Sequence, residues 1–250
     1  MKRRQLLKKL LSFLPLAAGY IGAVSRLAFA RQTLGDAEQE EVAYGMGIQV
    51  DQCIGCNRCT QACKAENDLS EEPFYVRTWV ERYTIDSDNN VSVAVIGSTT
   101  RSGREAAAPE SNVLRSFFVP KLCNHCANPP CVQVCPVEAT FSTADEIVLI
   151  DKERCIGCGY CIQACPYGAR YLHPETHTAD KCTFCYHRIK QGLLPACVEV
   201  CPTRGRVFGD LKGRASPLIR LRRMSKIHVL KPYLNTEPKV FYTGLDGEVN

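Results

Sequence analysis

Cys155-Ile-Gly-Cys158-Gly-Tyr-Cys161-Ile-Gln-Ala-Cys165-Pro166 is the stretch on which the reading of this chain turns. It recurs earlier as Cys53-Ile-Gly-Cys56-Asn-Arg-Cys59-Thr-Gln-Ala-Cys63, with Lys64 in place of the proline. Two more groups share a second spacing. They are Cys123-x2-Cys126-x4-Cys131-x3-Cys135-Pro136 and Cys182-x2-Cys185-x11-Cys197-x3-Cys201-Pro202, and both end Cys-Val-x-Val-Cys-Pro. All 16 cysteines of the 250 residues fall into these four groups of four. Groups one and three are copies, and so are groups two and four. The chain therefore reads as two related halves, the second interrupting the first.

Three chemistries could use so many cysteines. A disulfide scaffold suits an even count, but cysteines two residues apart on repeated tight loops make poor bridges. Zinc sites use paired Cys-x2-Cys knuckles, which groups one and three do not offer. The run C-x2-C-x2-C-x3-C-P is the spacing of bacterial ferredoxins, in which three cysteines hold one cluster and the fourth reaches the other. The glycine after Ile54 or Ile156 lets the backbone fold close around an inorganic core. The fourth cysteine is expected to start a helix pointing away, and Pro136, Pro166 and Pro202 to turn the chain.

Crossed ligation then gives four 4Fe–4S clusters, with the sixteen cysteines as iron ligands and no catalytic residue. The first takes Cys53, Cys56, Cys59 and Cys201; the second Cys182, Cys185, Cys197 and Cys63. The third takes Cys123, Cys126, Cys131 and Cys165; the fourth Cys155, Cys158, Cys161 and Cys135. The fold class is α+β: two ferredoxin-like two-cluster units, the second inserted in the first, with a β-hairpin insertion and an extended C-terminal tail. The outer unit spans 43–67 plus 176–209, the insertion 68–116, the inner unit 117–175 and the tail 210–250.

The first thirty residues read as an export address. Lys2, Arg3, Arg4, Lys8 and Lys9 precede an apolar stretch from Leu10 to Val24, and small residues Ala28 and Ala30 mark a cleavage site. Arg3-Arg4-Gln-Leu-Leu-Lys8 has the form of a twin-arginine signal, a route that carries folded proteins with cofactors in place. This places the mature chain in the periplasm. The formal charge of +5 belongs to this segment. Without residues 1–30 the chain has 25 basic against 26 acidic residues, so nucleic acid is excluded as a partner on charge grounds.

Elsewhere, Phe74–Ile85 and Val91–Ile96 read as a hairpin around Asp86–Asn90, and 98–112 as a polar loop. Glu146–Ile150 reads as a strand, Ser216-Pro217 as a helix start, and 228–230 and 239–242 as short strands in a tail with little core of its own. His125 lies between two ligands and reads as a solvent-facing loop residue. His173, His177, His187 and His228 share no metal spacing, and there is no phosphate loop or nucleophile elbow. Lys64, Lys121, Lys152, Arg154, Arg170 and Lys181 lie near ligands, where they either oppose cluster charge or simply face solvent.

The four groups in this order, with the x11 gap, resemble the iron–sulfur subunits of membrane-associated molybdenum oxidoreductase complexes. Leu122–Cys131, Ala179–Cys185, Gly192–Val198, Val229–Pro232 and Val240–Asp246 carry the likeness most closely, toward members serving reduction of sulfur compounds such as tetrathionate, polysulfide or thiosulfate. The resemblance implies an electron-transfer subunit that links a molybdopterin catalytic subunit to a polysulfide-reductase-type membrane anchor fed by quinol, peripheral on the inner membrane. It further implies that the first cluster faces the catalytic subunit, the fourth the anchor. Subunits of other quinone-interacting complexes and a free periplasmic polyferredoxin remain open alternatives.

Overall fold

The computed structural model describes residues 42–97 and 112–249. The export signal expected over 1–30 and nearly all of the loop expected at 98–112 lie outside them. In chain order the elements are β1 (Tyr44–Gln49), α1 (Arg58–Glu66), β2 (Thr78–Asp86), β3 (Val91–Val95), β4 (Val113–Leu122), α2 (Pro130–Gln133), β5 (Thr140–Ser142) and β6 (Val148–Ile150). There follow α3 (Tyr160–Gln163), β7 (Arg170–Leu172), β8 (Ala179–Lys181), α4 (Tyr186–Ile189), α5 (Ala196–Glu199), β9 (Arg206–Asp210), α6 (Pro217–Met224) and β10 (Val240–Thr243). The class is α+β. Among the described residues, no helix is long and apolar enough to cross a membrane.

The sheet under the core has the order β10-β1-β9. β1 pairs antiparallel with β9 (Met46↔Phe208) and parallel with β10 (Met46↔Val240). Strand alternation aims Met46 and Ile48, both 0% exposed, into the core. Gly47 faces the other way, where a Cβ would stand 2.5 Å from Leu221 of α6. The glycine is what lets that helix lie against the strand. The C-terminal segment is thus more than a tail laid along the body. Val240, Phe241 and Tyr242 are buried, and the Tyr242 hydroxyl donates to the Pro120 carbonyl at 3.1 Å. A continuous apolar run covered on both faces is what a parallel strand requires.

The expected hairpin forms between β2 and β3, closed by Asp86 Oδ1, which accepts from the N–H groups of Asp88 and Asn90. A third strand, β4, extends it on the other side of β2, where Tyr83 and Phe117 stack with centroids 5.3 Å apart. This strand crosses the boundary expected near 116 and runs directly into Cys123, so the sheet aims the second cysteine group. Two small hairpins, β5-β6 and β7-β8, follow Cys135-Pro136 and Cys165-Pro166.

Candidate metal centres

The helices in the cysteine groups begin at the third cysteine, not at the fourth as expected. Cys59, Cys131, Cys161 and Cys197 lie in the first turns of α1, α2, α3 and α5. In three groups the helix has four residues and stops before the fourth cysteine, whose N–H closes a tight last turn on Val132, Ile162 or Val198. The reason is the proline that follows, because it bars the preceding residue from helical geometry. Group one has Lys64 there, and its helix runs on for nine residues, enclosing Cys63.

All sixteen cysteines are free thiols. Cys53, Cys56, Cys59 and Cys201 line one pocket, together with Pro202, Gly205 and Arg206. Cys123, Cys126, Cys131 and Cys165 line a second, together with Asn124, Pro166, Tyr167 and Arg170. Each brings three cysteines of one group together with the fourth of another. Cys63, Cys182, Cys185 and Cys197 are all buried; Asn67 Nδ2 reaches Cys63 Sγ at 3.6 Å and Cys185 Sγ at 3.9 Å. Around the third group, Cys161 and Cys155 pack on a small cluster with Val148 and Ala179, and Cys155 Sγ accepts from the Ala179 N–H at 3.4 Å. Burial resists ionisation of Cys135, but the N–H groups of Thr140, Val137 and Ala139 pull its thiol below the ordinary range. Among the described residues, no three His, Cys, Asp or Glu side chains are grouped to hold a single ion. The cysteines surround volumes instead.

The donor set fits a sulfur-rich anionic group. Burial pushes the Cys126 thiol up to about 12 and raises those of Cys182, Cys197 and Cys131. Bare, these thiols stay protonated, and metal must displace the protons. Two buried donors of residues lining the second cavity, Asn124 Nδ2 and Arg170 Nε, have no partner among the described residues. Arg170 stands directly opposite Lys181 across β7-β8, and the two are 5% and 0% exposed. Like charges facing each other in a sheet repel, and buried ones need a counter-charge.

Of the six cations near ligands, Lys152 and Arg154 are exposed, and half-buried Lys64 binds the carbonyls of Ser70 and Glu72. Lys121 pairs with Glu81 at 2.7 Å. Only Arg170 and Lys181 enter the thiol clusters uncompensated. Arg206 joins them: its Nη2 donates to Cys59 Sγ at 3.3 Å and to Thr78 Oγ1 at 2.8 Å. It was not singled out in the sequence, although it lies five residues past its group's fourth cysteine, as Arg170 does.

His125 corrects the expectation of a loop residue facing water. It is 0% exposed, its Nδ1 accepts from the Val148 N–H, and its ring stacks on Phe184 at 3.8 Å. Burial, then Lys181, Lys239 and Arg170, hold it neutral, far below its usual range. His125 in Cys-Asn-His-Cys and Phe184 in Cys-Thr-Phe-Cys occupy the same position of the two copies, and both have positive φ. The halves of the chain meet on that stack.

Gly55 and Gly157 share φ +69°. A Cβ on Gly157 would run into the His177 carbonyl oxygen; one on Gly55 would meet only the Phe118 ring. Gly157→Ala is therefore expected to destabilise the chain by more than about 1 kcal/mol, and Gly55→Ala by less, since a ring can swing aside and a backbone carbonyl cannot. Thermal unfolding of the two variants side by side checks the ranking.

Comparison with known proteins points to iron–sulfur chemistry. Residues 114–211 match the 4Fe-4S dicluster domain family. The chain is 47% identical over 205 residues to a tetrathionate reductase subunit of Salmonella typhimurium, covering 81% of this chain and 73% of that relative. It is 46% identical over 204 residues to the corresponding tetrathionate reductase subunit of Archaeoglobus fulgidus, covering 82% and 83%. It is 43% identical over 172 residues to PhsB, the thiosulfate reductase electron transfer subunit of Salmonella typhi, covering 67% and 76%.

Proposed function

This chain belongs to the family of iron–sulfur electron-transfer subunits of reductase complexes, tetrathionate and thiosulfate reductases among them, and from that premise we propose that it holds four 4Fe–4S clusters in a relay. The clusters supply one-electron chemistry when bound; the chain holds them close together, sets their surroundings and catalyses nothing itself. The proposed ligand sets are Cys53, Cys56, Cys59 and Cys201; Cys182, Cys185, Cys197 and Cys63; Cys123, Cys126, Cys131 and Cys165; and Cys155, Cys158, Cys161 and Cys135. They imply an outer unit of 43–67 plus 176–209 around an inner unit of 117–175, carrying the insertion 68–116 and the segment 210–250.

The observation that carries this reading is the pair of matching cavities, each walled by three cysteines of one group and the fourth of another. A second supports its two ends. Cys56 and Cys158 are exposed, and beside them Ile54 and Ile156 are 60% and 65% exposed. These are the same loop positions in groups one and three. Bare aliphatic residues over a redox centre suit a partner's surface better than water, and they mark the two proposed ends of the relay. The proposed partner at the first end is a molybdopterin catalytic subunit; at the fourth it is a polysulfide-reductase-type membrane anchor, fed by quinol. The proposed setting is respiratory reduction of a sulfur compound, with the mature chain exported by the twin-arginine route to the periplasmic face of the inner membrane.

Metal analysis and gentle detergent extraction test this. Four clusters require about sixteen irons and as many acid-labile sulfides per chain, together with copurification of a large molybdenum protein and an integral membrane protein. About eight irons would leave only two of the proposed sites, and a clean soluble monomer would sink the complex.

A further inference from the structure

Six cationic side chains are buried: Arg77, Lys121, Arg170, Lys181, Arg206 and Lys239. Three have carboxylates. Arg77 pairs with Asp180, Lys121 with Glu81 and Lys239 with Glu146. Arg170, Lys181 and Arg206 have none among the described residues. An unpaired buried charge costs several kcal/mol, so three of them in one small core call for a common cause.

Their positions supply it. Arg206 donates to Cys59, and its charge also bears on Cys197, which packs in the same core cluster as Cys59, so it stands between the proposed first and second centres. Lys181 precedes Cys182 and donates to that residue's carbonyl at 2.8 Å and to the Val148 carbonyl. Val148 lines the cavity walled by Cys123, Cys126, Cys131 and Cys165, so an ammonium held between its carbonyl and that of Cys182 lies between the second and third. Arg170 Nη2 donates to Cys131 Sγ at 2.9 Å, and Cys131 packs in one small cluster with Cys161, which puts the guanidinium between the third and fourth. The repeat gives independent support. Arg170 and Arg206 each open a strand five residues after a fourth cysteine, and each donates to the third cysteine of the companion group.

We propose that Arg206, Lys181 and Arg170 are shared counter-charges, one at each junction of the relay, and that each sets the reduction potentials of the two centres it stands between. This rests on the four-centre reading above. A positive charge beside a centre favours its reduced form. A charge placed at a junction favours reduction on both sides together, so an electron crossing the junction stays beside the same cation. The chain thereby raises the potentials without opening a large step between neighbours. These are positioning residues: they touch ligand sulfurs or hold their charge beside them, and they ligate nothing.

The test is a potentiometric titration followed by electron paramagnetic resonance, on the metal-loaded chain in its purified complex. The variants are Arg206→Gln, Lys181→Met and Arg170→Gln, with Arg206→Lys, Arg170→Lys and Lys181→Arg to keep the charge. Each neutral variant is expected to weaken reduction of its two flanking centres about tenfold, which is about 59 mV for a one-electron couple. The other two centres should stay in place, and the charge-keeping variants should recover most of the shift. If a neutral variant fails to load metal, the proposal requires loss of the flanking pair alone, restored by lysine at 170 or 206 and by Lys181→Arg at 181. A shift confined to one centre, a shift common to all four, no shift at full iron content, or loss that the charge-keeping variant does not restore would each overturn it. Fewer than four centres in the unmodified chain would instead refute the relay on which it stands, before any variant is made.

Discussion

Stripping iron from the anaerobically purified chain with a chelator is expected to abolish its cooperative thermal transition, not merely to lower its midpoint. Helices α2, α3, α4 and α5 have four residues each, and strands β5 to β8 have three. Helices so far below about 12–15 residues are not stable alone, and an isolated two-stranded hairpin is marginal at best. What holds them is the core, and the core contains Cys123, Cys182 and Cys197 side by side with Ile147, Phe184 and Tyr242. Emptied sites would leave the facing cations Arg170 and Lys181 without an anion. Metal binding in such a chain is folding free energy. The three-stranded sheet β3-β2-β4, which has nine-residue pairing and its own aromatic stack, is expected to be the last region to keep hydrogen-exchange protection. A sharp calorimetric transition in the iron-free chain, within a few degrees of the loaded one, would show that the polypeptide folds without its metal and would contradict this account.

What the sequence made legible was the part encoded in spacing. The four groups and their two kinds of copy follow from intervals between identical residues; the proposed joining of Cys201 to group one and Cys165 to group two came from the crossed ligation of two-cluster ferredoxins, and two cavities are lined by those cysteines. Even the exception was informative, since Lys64 in place of proline lengthens a single helix. The missed features depend on partners distant in sequence. β4 contains Arg115, Ser116, Pro120 and Lys121 and has no clean alternation; it is a strand because β2 supplies its hydrogen bonds, and its proline is tolerated because it lies at the sheet edge. β10 looked like a tail because its partner β1 is some two hundred residues away. His125 is polar and sits among ligands, so nothing local says that it is buried. Phe184, its equivalent in the other copy, buries it. Arg206 was overlooked because charge near a ligand is common, and only superposing the repeats singles out the position it shares with Arg170.

Replacing Asp180 by alanine is expected to destabilise the metal-loaded chain by about 3–5 kcal/mol, the cost of leaving one member of a buried ion pair behind. Asp180 is 3% exposed and meets Arg77 two-pronged, Oδ1 at 2.9 Å from Nη2 and Oδ2 at 3.2 Å from Nε. Its oxygens also accept from the Tyr171 hydroxyl at 2.9 Å and the Lys181 N–H at 2.8 Å. The two halves of the pair are not equivalent. Without Arg77, the carboxylate keeps those two donors. Without Asp180, the guanidinium keeps one hydrogen-bond acceptor, Asn67 Oδ1 at 2.7 Å, and no carboxylate. Arg77→Met should therefore cost less than Asp180→Ala. The double variant should cost less than the sum, because the pair's coupling disappears only once. The damage should also reach a metal site. Arg77 holds the Asn67 amide, whose Nδ2 points at the sulfurs of Cys63 and Cys185. Loss of Asp180 lets Arg77 move and frees that amide, so the centre assigned to Cys63, Cys182, Cys185 and Cys197 is the one expected to lose iron first. Denaturant unfolding of the two single variants and the double variant, with iron content followed along the transition, measures both effects. A cost below about 1 kcal/mol for Asp180→Ala, typical of a surface pair, or equal costs for the two single variants, would mean that the pair is not the buried, one-sided lock its hydrogen bonds describe.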